Sequence, residues 1–178
     1  GGENAALGVG ALNANTSGSF NTAVGRSALV SNTTASNNTA VGYQAAYSTT
    51  TGATNTAVGY ETFYSNTSGT QNAAFADRAL RANTTGNYNT ALGALSLFSN
   101  TTASKNTAVG YTAMYANTTG QENAAFAKDA LQQNTSGSFN TAVGHQSLAS
   151  NTTAIANTAV GYQAGYANTT SAGNTFIG

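Results

Sequence analysis

Apolar side chains return along this 178-residue chain at one fixed interval, and the interval is 17. Asparagine marks the start of each unit, at positions 4, 21, 38, 55, 72, 89, 106, 123, 140, 157 and 174. Counted from that anchor, column 4 is apolar in every copy: Leu7, Val24, Val41, Val58, Phe75, Leu92, Val109, Phe126, Val143, Val160 and Ile177. Column 9 is apolar (Leu12, Leu29, Ala46, Phe63, Leu80, Leu97, Met114, Leu131, Leu148) until Gly165. Column 3 is Ala in all ten full units, and column 8 is always small. The copies follow one another without insertion or deletion, so each must take nearly the same path in space. Stacked coils satisfy that demand, each unit covering the apolar face of the next.

A unit of 17 residues is too short for a helix pair but long enough for one coil of a narrow β-solenoid. The pattern therefore predicts an all-β parallel solenoid, a β-roll of about ten coils over residues 1–178, with columns 3, 4, 8 and 9 filling the interior. The Thr-Ala-Val segment reads as the strand, and the glycine in column 5 as the corner after it. The next segment supports two readings, a second short strand or one helical turn. Tyrosines four apart (Tyr43/Tyr47, Tyr60/Tyr64, Tyr111/Tyr115, Tyr162/Tyr166) have helical spacing. In-register stacking would set residues 17 apart at about 4.8 Å, making a rod on the order of 48 Å long. Charge supports that register: Glu61/Arg78 and Lys105/Glu122 have the offset and opposite signs, and no like-charged pair has it. The units at Asn72 and Asn123 both read Ala-Ala-Phe-Ala, replacing the corner glycine. This reads as a trace of duplication rather than a different coil shape.

Composition then narrows the function. Only 6% of residues are charged, the net charge is zero, and Pro, Cys and Trp are absent. So few basic groups argue against nucleic acid and against anionic membrane surfaces. No apolar run is long enough to span a bilayer. Without Cys there is neither a disulfide nor a thiolate metal site. Disorder is disfavoured because 40% of residues are hydrophobic and regularly spaced.

Two polar ladders accompany the apolar columns. The anchors (Asn21, Asn38, Asn55, Asn72, Asn89, Asn106, Asn123, Asn140, Asn157) suit an internal amide ladder. The second ladder, Asn-Thr-[Ser/Thr], has Asn in column 12, replaced once by Thr49. Its column 13 holds Thr33, Thr50, Thr67, Thr84, Thr101, Thr118, Thr135 and Thr152, with Thr16 and Thr169 beyond. A stacking polar turn is the plain reading. The formal glycosylation signal is a by-product of the repeat. A rank of threonines on a rigid rod is also the surface type of ice-binding solenoids, which makes ice binding the alternative function. Against it, adjacent hydroxyl residues in a strand would point to opposite faces.

Chemistry finds little to work with. His145 is the only histidine, and the carboxylates Glu3, Glu61, Asp77, Glu122 and Asp129 are scattered. Stacking would place Lys128 and Tyr162 beside His145, which builds neither a triad nor a metal site. Neither enzyme, cofactor nor metal is expected. The tyrosines 43, 47, 60, 64, 111, 115, 162 and 166 are the candidate recognition surface, with packing between coils as their simpler role.

Asn-Thr-Ala-Val-Gly-Tyr-Gln-Ala (38 to 45 and 157 to 164) and Asn-Thr-Phe-Ile-Gly (174 to 178) resemble repeats upstream of intramolecular-chaperone domains in tail-fibre-like proteins of bacteria and phages. They are also similar to the head repeats of YadA-type trimeric autotransporter adhesins. The resemblance implies a left-handed roll, three chains side by side, and an extracellular, cell-surface or virion fibre. Such a fibre would be a stalk or an adhesive head, binding a host-surface glycan or protein. The short last unit and the absence of polar capping units read as a segment of a longer fibre.

Overall fold

The computed structural model describes residues 2–178. Every unit contributes one strand of three residues: β1 (Ala5–Leu7), β2 (Thr22–Val24), β3 (Thr39–Val41), β4 (Thr56–Val58), β5 (Ala73–Phe75), β6 (Thr90–Leu92), β7 (Thr107–Val109), β8 (Ala124–Phe126), β9 (Thr141–Val143), β10 (Thr158–Val160) and β11 (Thr175–Ile177). They form one 11-stranded sheet in sequence order. All neighbours are parallel and offset by one repeat, as in Thr39↔Thr56, Ala40↔Ala57 and Val41↔Val58. The chain is thus a parallel β-solenoid with one coil per unit.

The strands are short because both ends turn. Column 17 precedes the anchor in the left-handed region (Asn37, φ 62°; Tyr88, φ 59°). Column 5 follows with φ near 130–140° at its glycines (Gly42, φ 138°). There a side chain would collide with the next coil, since a Cβ on Gly42 would lie 2.2 Å from the Gly59 carbonyl oxygen. Ala76 and Ala127 occupy this corner in the two Phe-bearing units by moving to φ 97° and 112°. The corner does change shape there, while the register of β5 and β8 is kept.

The second side is neither strand nor helix. Left-handed residues alternate along it, in columns 7 and 9 (Gln44, φ 53°; Ala46, φ 51°). The alternation aims successive N–H groups along the rod in opposite directions. Gln44 N–H donates back to the Arg26 carbonyl at 2.9 Å, and Ala46 N–H donates forward to the Thr62 carbonyl at 2.9 Å. A helical turn would direct the same groups at its own carbonyls and leave adjacent coils unlinked. Each left-handed residue costs about 1–2 kcal/mol, and the hydrogen bond it permits returns roughly 0.5–1.5 kcal/mol.

Column 3 alanines point inward with the column 8 and 9 side chains, and these are fully buried in most coils. Size is balanced within the stack. Ala46 precedes Phe63 in column 9, and Gly165 leaves the space that Phe176, standing where other units have Ala, fills. Column 4 is not part of this core. Side chains alternate along a strand, so turning column 3 inward sends columns 2 and 4 outward. Phe75 is 37% exposed, Leu92 48% and Val160 41%. The expectation that an apolar column lies inside fails here because an inward Ala with close backbones already fills the narrow coil.

Candidate functional surfaces

Polar side chains inside the rod hold the coils together. Asn89 N–H and Nδ2 both donate to Asn72 Oδ1, at 2.9 and 3.1 Å. Asn89 Nδ2 also donates to the Ala103 carbonyl at 2.9 Å, across the coil. From column 12, Asn100 Nδ2 donates to the same carbonyl at 3.1 Å and to Asn83 Oδ1 at 2.8 Å. Both asparagine ladders are buried except in the end coils, so the buried column 12 asparagines are structural groups rather than glycan acceptors. Thr49 interrupts the second ladder, and Asn32 Oδ1 and Thr49 Oγ1 are left buried without a hydrogen-bond partner.

The tyrosines pair along the rod rather than along a helix. Tyr43 stacks on Tyr60 with ring centroids 5.3 Å apart, and Tyr47 on Tyr64 at 4.9 Å. The second stack continues through the Arg81 guanidinium, 5.0 Å from the Tyr64 ring and 6.0 Å from Phe98, to Phe98 on Tyr115 at 5.1 Å. Arg78 covers Tyr60 at 5.3 Å. Glu61 is bound by both arginines, Nε to Oε2, at 3.4 and 3.0 Å. Burial pulls the Glu61 carboxyl up, but hydrogen bonds from Arg81, Tyr60 and Arg78 outweigh it and hold it below the usual carboxylate range. Lys105 meets Glu122 at 3.0 Å, the other pair that the register requires. These rings cover one another's faces and offer mainly edges and phenols to solvent. Tyr111 and Tyr166, both exposed, have no ring contact, and Tyr162 tilts against His145 at 5.5 Å.

A carboxylate does reach His145, contrary to the pairing read from the 17-residue offset alone. Asp129 Oδ2 lies 3.7 Å from His145 Nε2 and 3.4 Å from Lys128 Nζ. Asp129 Oδ1 accepts from the Thr112 hydroxyl and from Gln132 Nε2. The neighbour was missed because Asp129 is in column 7 of the previous coil, one column along from His145. Hydroxyl, carboxylate and imidazole are all present, but in an unproductive order. The carboxylate lies between the other two, so the imidazole takes no proton from the hydroxyl. Among the described residues no three metal-ligating side chains cluster, no pocket is present, and no helix is long and apolar enough to cross a membrane.

Two continuous surfaces remain. One is the outer face of the sheet, with columns 2 and 4 flanked by exposed Phe20, Tyr88 and Phe139 from column 17. Column 4 makes an unbroken apolar rank along it, beside threonine in most of column 2 and polar or charged residues (Asn37, Gln71, Lys105, Glu122) elsewhere in column 17. Sequence reasoning overlooked it by assigning column 4 to the core, although the Ala-x-Phe units were visible. The other surface is the turn at columns 13 and 14, where the chain bends instead of running as a strand. Column 13 carries the candidate threonines. Their hydroxyls donate to the column 13 carbonyl of the next coil, as Thr33 does to Thr50 at 3.1 Å and Thr84 to Thr101 at 3.0 Å. This geometry defines the chain's class as a parallel β-solenoid with ladder-bonded coils. No family model matches the chain, and neither a curated protein nor a solved structure matches it.

Proposed function

We propose that this chain is a rigid segment of an extracellular or virion-surface fibre, associating with copies of itself through the outer face of its sheet and carrying no chemistry of its own. The observation behind this reading is the apolar rank of column 4 on that face, partly to fully exposed from Leu7 to Ile177. Monomeric proteins rarely expose contiguous apolar patches beyond a few hundred Å², and a face of this length calls for a cover. A parallel second or third copy has the same coil spacing and would cover it coil for coil. The sequence resemblance favours a homotrimer, and with it a role as stalk or adhesive head toward a host-surface glycan or protein. Light scattering after size exclusion tests the assembly. A trimer that dissociates on Phe75→Glu with Phe126→Glu supports the proposal. A wild-type monomer at micromolar concentration refutes it.

A further inference from the structure

Most exposed columns of the rod vary freely. Column 6, for example, runs Val9, Arg26, Tyr43, Tyr60, Asp77, Ala94 and onward. Column 14 does not vary in kind. From Ser17 and Thr34 to Thr153 and Thr170 it is Ser or Thr in ten units of ten. Column 13 is equally constant, but there the fold supplies the reason, since its hydroxyl bonds the neighbouring coil. Column 14 has no such reason. Its side chains are exposed in every coil, none makes a side-chain hydrogen bond, and none has a left-handed φ. In most coils its N–H group bonds the next coil (Thr51 to the Thr67 carbonyl, 3.1 Å), which any residue but proline could do. A hydroxyl that the fold does not use, kept through ten coils, points to a ligand outside the chain.

The ligand has to be periodic, because an isolated partner would need only a few of these groups. Backbone hydrogen bonds set the interval in column 13, as from Thr84 N–H to the Thr101 carbonyl at 2.8 Å, giving a repeat of about 4.8 Å. Oxygen rows on the surfaces of hexagonal ice repeat at nearly the same interval. The column 13 hydroxyls donate inward to carbonyls, which fixes their rotamers and leaves oxygen lone pairs toward water. Their side-chain entropy is lost on folding, not on binding. Column 14 adds a second hydroxyl rank beside the first. The surface carries no charge that would hold disordered water.

We propose that columns 13 and 14 together form an ice-binding face, ordering water on a lattice set by the coil repeat. The face differs from the single threonine rank considered from sequence, because the bend leaves column 13 partly exposed beside a fully exposed column 14. It is also distinct from the outer face of the sheet, so self-association leaves it free. The test is nanolitre osmometry and an ice recrystallisation assay on the purified chain, with serum albumin as the inactive control. Wild type should shape ice and slow recrystallisation. Thr85→Tyr, Thr102→Tyr and Thr119→Tyr combined should abolish this while circular dichroism stays native. Ala94→Tyr, in a column where tyrosine already occurs, should leave it intact. Inactive wild type overturns the proposal, as does full activity in the triple variant. Should the triple variant misfold, Thr102→Tyr alone decides: undiminished recrystallisation inhibition overturns the proposal, and weakened inhibition supports it.

Discussion

Replacing Thr49 by Asn should make the protein more stable. The column 12 ladder runs by Nδ2-to-Oδ1 bonds of 2.8 Å (Asn32 to Asn15) and 3.1 Å (Asn83 to Asn66) on either side of the break. At Thr49 the chain of amides stops, leaving Asn32 Oδ1 and Thr49 Oγ1 buried and unpaired, while Asn66 Nδ2 keeps only the Gly69 carbonyl at 3.2 Å. An asparagine would donate to Asn32 Oδ1, donate to the Gly52 carbonyl as its counterparts do three residues on, and accept from Asn66 Nδ2. Three hydrogen bonds at a net of about 1 kcal/mol each, less the order imposed on a longer side chain, suggest a gain of about 1–3 kcal/mol. Asn100→Thr, made in an intact stretch, should impose the same defect and lose about as much. Urea denaturation followed by circular dichroism reads both, with Thr102→Ala as an exposed control expected to stay within about 0.5 kcal/mol. The reasoning fails if Thr49→Asn is neutral or destabilising while Asn100→Thr is costly. The site would then be shaped for threonine, and the unpaired atoms would not be a defect.

Three other outcomes follow from the geometry. Glu61 has a folded-state acidity below its ordinary value, so its contribution is present above the ordinary carboxylate range and lost as pH falls through the folded value. Glu61→Gln should therefore lower the melting temperature at neutral pH, with the gap to wild type closing in acid. Gly42→Ala should cost about 2 kcal/mol or more in urea, because its Cβ would meet the Gly59 carbonyl oxygen at 2.2 Å. In the core, Gly165→Leu and Phe176→Ala should each destabilise, since a Cβ at Gly165 would lie 2.6 Å from the Phe176 ring. The double variant should recover about 1 kcal/mol or more in a double-mutant cycle.

The 17-residue offset was enough to place the strands, their parallel register and the charged pairs, because stacking turns a sequence period directly into a contact. It did not convey direction. Val24 and Leu29 look alike as letters, yet one faces out and the other in, and the small inward Ala23 between strand neighbours decides it. The tyrosine spacing misled for a related reason. An interval of four suits a helix, but Gln44 and Ala46 adopt left-handed angles to reach adjacent coils, and Tyr43 finds Tyr60 instead of Tyr47. Left-handed conformations at ordinary residues have no sequence signal strong enough to predict them. Asp129 at His145 was hidden because neighbours in a stack include the adjacent columns as well as the copy 17 away.

The odd composition follows from how fully the coil uses its backbone. N–H groups of columns 2, 5, 7, 9 and 13 bond adjacent coils in most units (Thr39, Gly42, Gln44, Ala46 and Thr50 in one of them), and the anchor's N–H bonds the Asn Oδ1 one coil back. Proline would remove the donor at each of these columns, and its fixed φ of about −65° is wrong wherever the chain turns left-handed. A charge fares little better, since each side chain has its own copy above and below. A charge is accommodated where the neighbouring coil offers the opposite sign, as Glu61 does to Arg78, or an aromatic face, as Tyr60 does to Arg78. The same rule separates columns constrained by stacking from those that are not. Columns 1 and 13 are constant, and columns 3 and 12 nearly so (Phe176 and Thr49 are the exceptions), because the neighbouring coil requires them. Column 14 is constant without that requirement, which makes it the place to look for a ligand rather than a structural role.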